Sequence, residues 1–158
     1  MLNVVRELRL GGLLIAIALA TLALTGCGQS SLKLEPDPIA QQLPSNSQDS
    51  LILANAYTQL DWDRVYIFAP YTSIDQINES LGYAWATDRT TTIYQSDRIS
   101  LLVFTKAGQV VGYVEYPRSR GDFAGLARDG GYSTEEAVFM ADYTLSNQAG
   151  PPMLLVDE

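Results

Sequence analysis

The sequence predicts an α+β fold, in which an antiparallel sheet of about five strands packs with two helices. Three observations support this prediction. Residues 61–71 are rich in β-branched and aromatic side chains, as in a strand. Residues 73–82 have both a start signal and a stop signal for a helix. Two later pairs of apolar runs are each joined by a segment that contains glycine or proline, as in hairpins.

The first predicted helix spans Leu51 to Leu60, where apolar residues recur at helical spacing and Asp49 or Ser50 can serve as the N-cap. The run from Asp61 to Tyr71 predicts a strand that stops at Pro70. Since both faces of this run carry mainly apolar side chains, we expect the strand to lie in the interior of the sheet.

The second helix is predicted to begin after Ser73, because Gln76 three residues later completes a capping box. Gly82 stands where a glycine ends a helix. A single apolar stripe on this helix should face the sheet, and it consists of Ile74, Ile77 and Leu81.

Strand-like runs at 93–105 and 109–116 flank Lys106-Ala107-Gly108, which predicts a hairpin. Residues 117–132 follow as a glycine-rich and charged segment that we expect to be an exposed, mobile loop. Runs at 137–143 and 153–156 predict a second hairpin.

The first 26 residues have the layout of a secretory signal, with Arg6 and Arg9 before an uncharged apolar run. Leu24-Thr25-Gly26-Cys27 ends this run and contains the one cysteine of the chain. These four residues resemble the lipobox of bacterial lipoproteins. The resemblance implies cleavage between Gly26 and Cys27 and attachment of diacylglycerol to Cys27. A plain signal peptide with an incidental cysteine and an uncleaved membrane helix are the alternatives.

The resemblance divides the chain into a signal peptide at 1–26, a flexible tether at 27–46 and one α+β domain at 47–158. The tether is predicted from its Gln, Ser and Pro content. The mature protein would be exported and anchored by lipid to the cell membrane or the outer membrane. Gly28 after the cysteine resembles the outer-membrane sorting pattern.

Composition excludes several function classes. Loss of the signal changes the formal net charge from −8 to about −9, which disfavours nucleic acid as a partner. The chain has no histidine, so Ser-His-Asp triads, Cys-His dyads and histidine-based zinc sites are excluded. The sequence suggests no cofactor and no catalytic residue, and we expect a protein that is not an enzyme.

Two groups of carboxylates are candidate sites. Asp61 and Asp63, two residues apart in a predicted strand, could act as an acid and base pair about 7 Å apart. Solvated carboxylates beside Arg64 are the simpler interpretation. Four acidic residues could surround a calcium ion, but without EF-hand spacing, and they are Asp122, Asp129, Glu135 and Glu136.

The aromatic residues are the stronger candidates for a binding surface. Nine tyrosines and two tryptophans are present, and aromatic side chains with polar tips are favoured at interfaces. The possible partner surface consists of Trp62, Tyr66, Tyr71, Tyr83 and Trp85. Burial of the same side chains in the core is the alternative interpretation.

The run from Trp62 to Thr72, with Gly82, Tyr83 and Trp85 after it, resembles small, poorly characterised bacterial exported lipoproteins. Later matches to the same group are Tyr116-Pro117-Arg118 and Gly121-Asp122-Phe123. This resemblance implies no catalytic residue.

The leading hypothesis is a lipid-anchored envelope protein that binds another protein or supports envelope assembly. A lipoprotein that binds a small molecule or a cation through residues 117–136 is the second. A carboxylate hydrolase acting through Asp61 and Asp63 is the third.

Overall fold

The structure, a computed structural model, describes residues 31–45, 49–144 and 153–156. The predicted signal peptide, the motif ending at Cys27 and the cleavage point after Gly26 lie outside these residues. The main sheet has five strands in the order β1-β5-β4-β3-β6, with bounds β1 Leu32–Lys33, β3 Arg64–Phe68, β4 Ile99–Lys106, β5 Gln109–Pro117 and β6 Tyr132–Ser133.

A second sheet has three strands in the order β2-β7-β8, with bounds β2 Ser50–Ile52, β7 Val138–Asp142 and β8 Met153–Val156. Three α-helices are described, and they are α1 Asp37–Gln42, α2 Leu53–Ala56 and α3 Ile74–Leu81. The predicted α+β class is therefore confirmed. The main sheet is mixed rather than purely antiparallel, because β1 runs parallel to β5.

The predicted hairpin is formed by β4 and β5, which pair from Lys106 opposite Gln109 onward. Ala107 and Gly108 form its two-residue turn, with φ of 48° and 76°. Positive φ at both central positions is the type I′ geometry that matches the twist of a hairpin. The strand starts later than the sequence suggests, since Ile93–Gln95 forms a 3-10 turn. The second predicted hairpin is also confirmed, by antiparallel pairing of β7 with β8.

Helix α3 begins and ends as predicted. The Ser73 hydroxyl accepts from the Gln76 backbone N–H, and the Gln76 side chain accepts from the Ser73 backbone N–H, which completes the capping box. Gly82 ends the helix in the left-handed conformation with φ of 79°. Ile77 is fully buried beneath the helix.

The main sheet separates two apolar cores. Alternate side chains of β4 face opposite sides, so Leu102 and Phe104 join the core beneath the second sheet, while Leu101 and Val103 join the core beneath α3. The predicted interior strand, β3, behaves in the same way between β4 and β6. The result is three layers, which are the small sheet with α1 and α2, the main sheet, and α3.

The first predicted helix, from Leu51 to Leu60, is wrong at both ends, since residues 51–52 and 57–60 are not helical. Ser50–Ile52 is a strand that pairs antiparallel with β7, and the helix covers only Leu53–Ala56. The partner strand lies more than 80 residues along the chain, so apolar spacing within residues 51–60 could not reveal the pairing.

The expected tether at 27–46 is corrected in the part that the structure describes. Residues 31–45 are folded, because β1 pairs with β5 and α1 buries Ile39 completely. Between β1 and α1, the Glu35 carbonyl accepts a hydrogen bond from the Tyr57 hydroxyl at 2.7 Å. This bond ties the link between the two elements to the residue that follows α2. The domain therefore begins by residue 32 instead of residue 47.

The expected exposed loop at 117–132 is packed against the domain. Phe123 and Leu126 are buried in the larger core, around a 3-10 turn at Ala124–Leu126. The backbone N–H of Leu154 donates to the Asp122 carbonyl at 3.0 Å, which ties the segment to β8. Together with Tyr132, which is buried in the same core, these side chains fold a polar, glycine-rich segment onto the domain.

Candidate functional site

An open cleft of about 570 Å³ lies where β3 ends, between α3 and the loop at 127–130. Its floor is the apolar end of β3 and its two walls are polar. The lining residues are Ile67, Phe68, Ala69, Thr72, Gln76, Glu79, Ser80, Ala127, Arg128, Asp129 and Gly130. A volume of this size falls in the range of small-molecule and peptide sites.

A turn between β3 and α3 presents Tyr71 beside this cleft. The backbone N–H of Thr72 donates to the Ala69 carbonyl at 3.2 Å and closes a turn with Pro70 and Tyr71 at its centre. Tyr71 has φ of 65°, the left-handed value that a type II turn requires and that glycine normally supplies. The Tyr71 side chain is 62% exposed, so the unfavourable backbone conformation is not offset by burial of the ring.

The opposite wall is held to β3 through its own backbone. Arg64 donates from Nη1 to the Gly130 carbonyl at 2.6 Å, and Gly131 packs against the backbone of Val65. Arg128 donates from Nε to the Gly131 carbonyl at 2.8 Å and lies over the Tyr132 ring at 3.7 Å. These contacts fix the 127–131 loop relative to β3.

The charged groups of the cleft differ in their partners. Arg128 forms an ion pair with Glu136 at 3.0 Å. The hydrogen bond from the Ser133 backbone, together with that from Arg128, lowers the pKa of Glu136. Glu79 and Asp129 add carboxylates to the two walls, and Gln76 adds an amide. The cleft therefore suits a polar ligand with hydrogen-bond donors or the backbone of a peptide.

The five predicted aromatic residues do not form one surface. Trp62 is 7% exposed and lies in the larger core, on the opposite side of the sheet from the core that Tyr66, Tyr83 and Trp85 cover. The Tyr83 hydroxyl accepts from the Val110 N–H at 2.8 Å. Of the five, Tyr71 is exposed, Tyr66, Tyr83 and Trp85 are half-buried, and Trp62 is buried. Trp62 therefore does not belong to a surface shared with the other four.

Asp61 and Asp63 precede β3 rather than lying within it. Asp61 forms an ion pair with Lys106 at 2.8 Å, and Asp63 accepts from the Ala107 N–H at 2.8 Å. Both carboxylates therefore support the hairpin turn, and neither lines the cleft.

The four calcium candidates are not gathered around one point. Arg118 binds both carboxylate oxygens of Asp122, at 3.0 and 2.6 Å, and Glu136 faces Arg128. Asp129 lines the cleft, while Glu135 is exposed after β6. Within the described ranges, no three Asp, Glu or Cys side chains are grouped closely enough to hold a metal ion.

Glu115 and Asp122 are half-buried carboxylates whose pKa values are lowered in the fold. Burial alone would raise the pKa of Glu115, but hydrogen bonds from the Thr92 N–H (2.8 Å), Lys33 and the Thr91 hydroxyl outweigh it and lower the pKa below 4.5. Burial and Arg118 have the same opposed effects on Asp122, whose pKa is also lowered. Their stabilising contacts require the ionised form.

We expect stability to fall as the pH drops through about 4.5, the ordinary pKa of glutamate, toward the lower pKa of folded Glu115. The contribution is fully present above that pH, because a lowered folded-state pKa favours the folded state only while the group is ionised. Glu115→Gln should lower the free energy of unfolding by about 1–2 kcal/mol at pH 7. It should also reduce the further loss of stability as the pH falls. Urea denaturation from pH 3 to 7 measures both, with exposed Glu135→Gln as control. If Glu115→Gln loses as much stability at acid pH as the wild type does, this assignment is contradicted.

Sequence reasoning found Tyr71 but not the cleft beside it. Gln76 and Glu79 lie in the predicted helix, and Arg128 lies in the predicted exposed loop. The Gly130-Gly131 pair was the available signal, because two adjacent glycines mark a tight turn or a close backbone approach.

The chain matches no known family model, and it is not significantly similar to any curated protein or solved structure that was compared. In the part of the chain that the structure describes, no helix has the length and apolar character needed to cross a bilayer.

Proposed function

We propose that this protein is a lipid-anchored envelope protein without catalytic activity, whose domain binds another protein through Tyr71 and the adjoining cleft. The anchor is diacylglycerol attached to Cys27, and the chain is cleaved between Gly26 and Cys27. The support for the anchor is the signal-like N-terminus and its resemblance to the lipobox.

The observation that carries the binding proposal is the presentation of Tyr71. A non-glycine residue in the left-handed region costs about 1–2 kcal/mol, and Tyr71 is 62% exposed. A glycine at this turn position would remove the cost, so the tyrosine serves something other than stability. Residues held in unfavourable backbone conformations occur preferentially at binding sites.

The chemistry of the surroundings supports a protein partner. Tyrosine is enriched at the centres of protein interfaces, where its ring is buried and its hydroxyl donates a hydrogen bond. The neighbouring cleft offers an apolar floor with polar walls, including the Glu79 and Asp129 carboxylates. A partner would match these features if it had a surface pocket that accepts an aromatic ring, with basic or amide groups beside that pocket.

Replacing Tyr71 by glycine is expected to raise stability and to weaken binding. Relief of the backbone conformation, less the entropy that glycine loses on folding, leaves a gain of about 0.5–1 kcal/mol. Loss of a central tyrosine should reduce affinity about tenfold or more. Chemical denaturation measures the first effect. Photo-crosslinking from residue 71 in host membranes identifies the partner, and quantitative binding to that partner measures the second.

Ala107→Gly is the matched control. Ala107 also has a positive φ, 48°, but it lies in the β4–β5 turn away from the cleft. It should gain similar stability and bind the partner normally, while Tyr71→Phe should retain most binding. Equal partner binding by wild type and Tyr71→Gly would overturn the proposal.

A polar small molecule is the second candidate ligand, because the cleft volume of about 570 Å³ and its polar walls also suit one. Native mass spectrometry of protein purified from its host would reveal such a molecule. In that case crosslinks from residue 71 should recover no partner protein.

A further inference from the structure

A second, smaller groove of about 240 Å³ lies at the β1 edge of the main sheet. It runs between β1 and the segment that follows α2, and its lining residues are Leu32, Leu34, Ala56, Tyr57, Thr58, Gln59 and Leu60. Leu32 is 58% exposed, one of the few large apolar side chains in the described residues that are open to solvent. The groove is therefore an apolar surface at the point where the described chain begins.

The proposed anchor lies close to this groove along the chain. Cys27 is four residues before Ser31, the first described residue. Four residues span at most about 14 Å even when fully extended. The headgroup layer of one leaflet is about 5–8 Å thick. A lipid on Cys27 therefore keeps Leu32, five residues later, within about 18 Å of the anchored cysteine, which allows Leu32 to reach the headgroup layer.

The orientation of this edge relative to the domain is fixed. Leu32 pairs with Gly112 and Lys33 with Tyr113 in parallel register, and the Leu34 N–H donates to the Tyr113 carbonyl at 2.7 Å. The Trp85 indole N–H donates to the Ser31 hydroxyl at 3.0 Å. Because β1 is hydrogen-bonded to the sheet at these points, the position of β1 at a membrane also sets the position of the domain.

The groove also lacks charge, unlike the rest of the domain. None of its seven lining residues is Asp, Glu, Lys or Arg, although the chain has a formal net charge of −8. An acidic surface would be repelled by anionic headgroups. A groove without charged lining residues limits that repulsion, although Lys33 and Asp61 lie next to it in the chain, and it can bury Leu32 among the lipids.

We propose that this groove is seated on the bilayer leaflet that holds the anchor, with Leu32 inserted at the headgroup level. This inference rests on the proposed lipidation of Cys27. The sheet order β1-β5-β4-β3-β6 then places β6 at the opposite edge, about 19 Å away at four strand spacings. The 127–131 loop leads directly into β6, so the cleft opens at the side away from the membrane.

The test uses the full-length lipidated protein in vesicles of three parts phosphatidylethanolamine to one part phosphatidylglycerol. Since lipidation consumes the thiol of Cys27, a single introduced cysteine can be labelled selectively. Gln59→Cys places a fluorophore at the groove, and Glu135→Cys places one near the β6 edge. Quenching by lipids that carry a nitroxide near the headgroup reports which label touches the membrane.

We expect strong quenching at residue 59 and little at residue 135. Adding Leu32→Asp to Gln59→Cys should reduce the quenching at residue 59 to the level at residue 135, while the protein stays bound to vesicles. Equal, weak quenching at both positions would overturn the proposal. Contact between the residue-59 labels of two protein molecules, if it persists at low protein density, would also overturn the proposal. It would show that a second copy of the protein occupies the groove.

Mass spectrometry of the mature N-terminus separates this proposal from the one on which it rests. A protein without lipid on Cys27, which fails to remain on vesicles, would refute the anchor. A lipidated protein that remains on vesicles without quenching at residue 59 would refute the seating of the groove alone.

Discussion

Gly131→Ala is expected to destabilise the domain by about 3 kcal/mol or more, beyond most single substitutions. A Cβ at residue 131 would lie 2.3 Å from the Val65 carbonyl oxygen and 3.1 Å from its carbon. Neither backbone can move freely, because Val65 is in β3 between β4 and β6. Gly131 also has φ of 62°, so the substitution adds a conformational cost to the steric one.

Gly130→Ala isolates the conformational part of this effect. Gly130 has φ of 75°, but a Cβ there would meet nothing within 4 Å. It should cost about 1 kcal/mol. Urea denaturation of both variants measures the difference, and similar midpoints would contradict the close approach of the loop to β3. Since this contact forms the wall of the cleft, Gly131→Ala should also abolish partner binding.

Ile39→Ala is expected to cost about 2–5 kcal/mol, the range for a large aliphatic side chain removed from a core. Ile39 is fully buried in the larger core although it lies in a segment whose composition predicts a tether. Its helix starts with prolines at 36 and 38, which suit the first turn of a helix because no N–H is lost there.

The control for Ile39→Ala is Gln41→Ala on the exposed side of the same helix, which should change stability by less than about 0.5 kcal/mol. Both are measured by denaturation of the mature chain with Cys27→Ser, which prevents lipidation. If Ile39→Ala unfolds at the wild-type urea concentration, residues 31–45 do not belong to the domain.

The elements that could be predicted are those whose signals are local. The Ser73–Gln76 capping box and Gly82 specify α3 within ten residues, and the β4–β5 hairpin depends on a turn of two residues. In both cases the groups that satisfy the backbone hydrogen bonds are close in sequence. Chain order therefore contains the necessary information.

The elements that were missed depend on distant partners. β1 forms because β5, about 80 residues later, offers an edge with which it can pair. In the same way, β2 forms by pairing with the edge of β7. Two-residue and three-residue strands have too few side chains to show a period of two. The packing of the 117–132 segment could not be predicted, because its glycines and charged residues outnumber the three side chains that fold it onto the core, Phe123, Leu126 and Tyr132.

The candidate site shows the same division. Aromatic content pointed to Tyr71, but its φ of 65° and the cleft beside it required the fold. Trp62 has the same compositional signal, but it is buried in the larger core. Composition identifies which side chains can form an interface, whereas exposure and backbone geometry decide which of them are available to a partner.

The short distance between Cys27 and the folded domain has a consequence for how partners meet. If Cys27 is lipidated as proposed, the domain begins within about 18 Å of a leaflet. Such a protein searches in two dimensions, and it encounters other components of that membrane at a high effective concentration. It cannot reach targets far into the surrounding space. Modest intrinsic affinity at Tyr71 would then suffice for binding, provided that the partner resides in or on the same membrane.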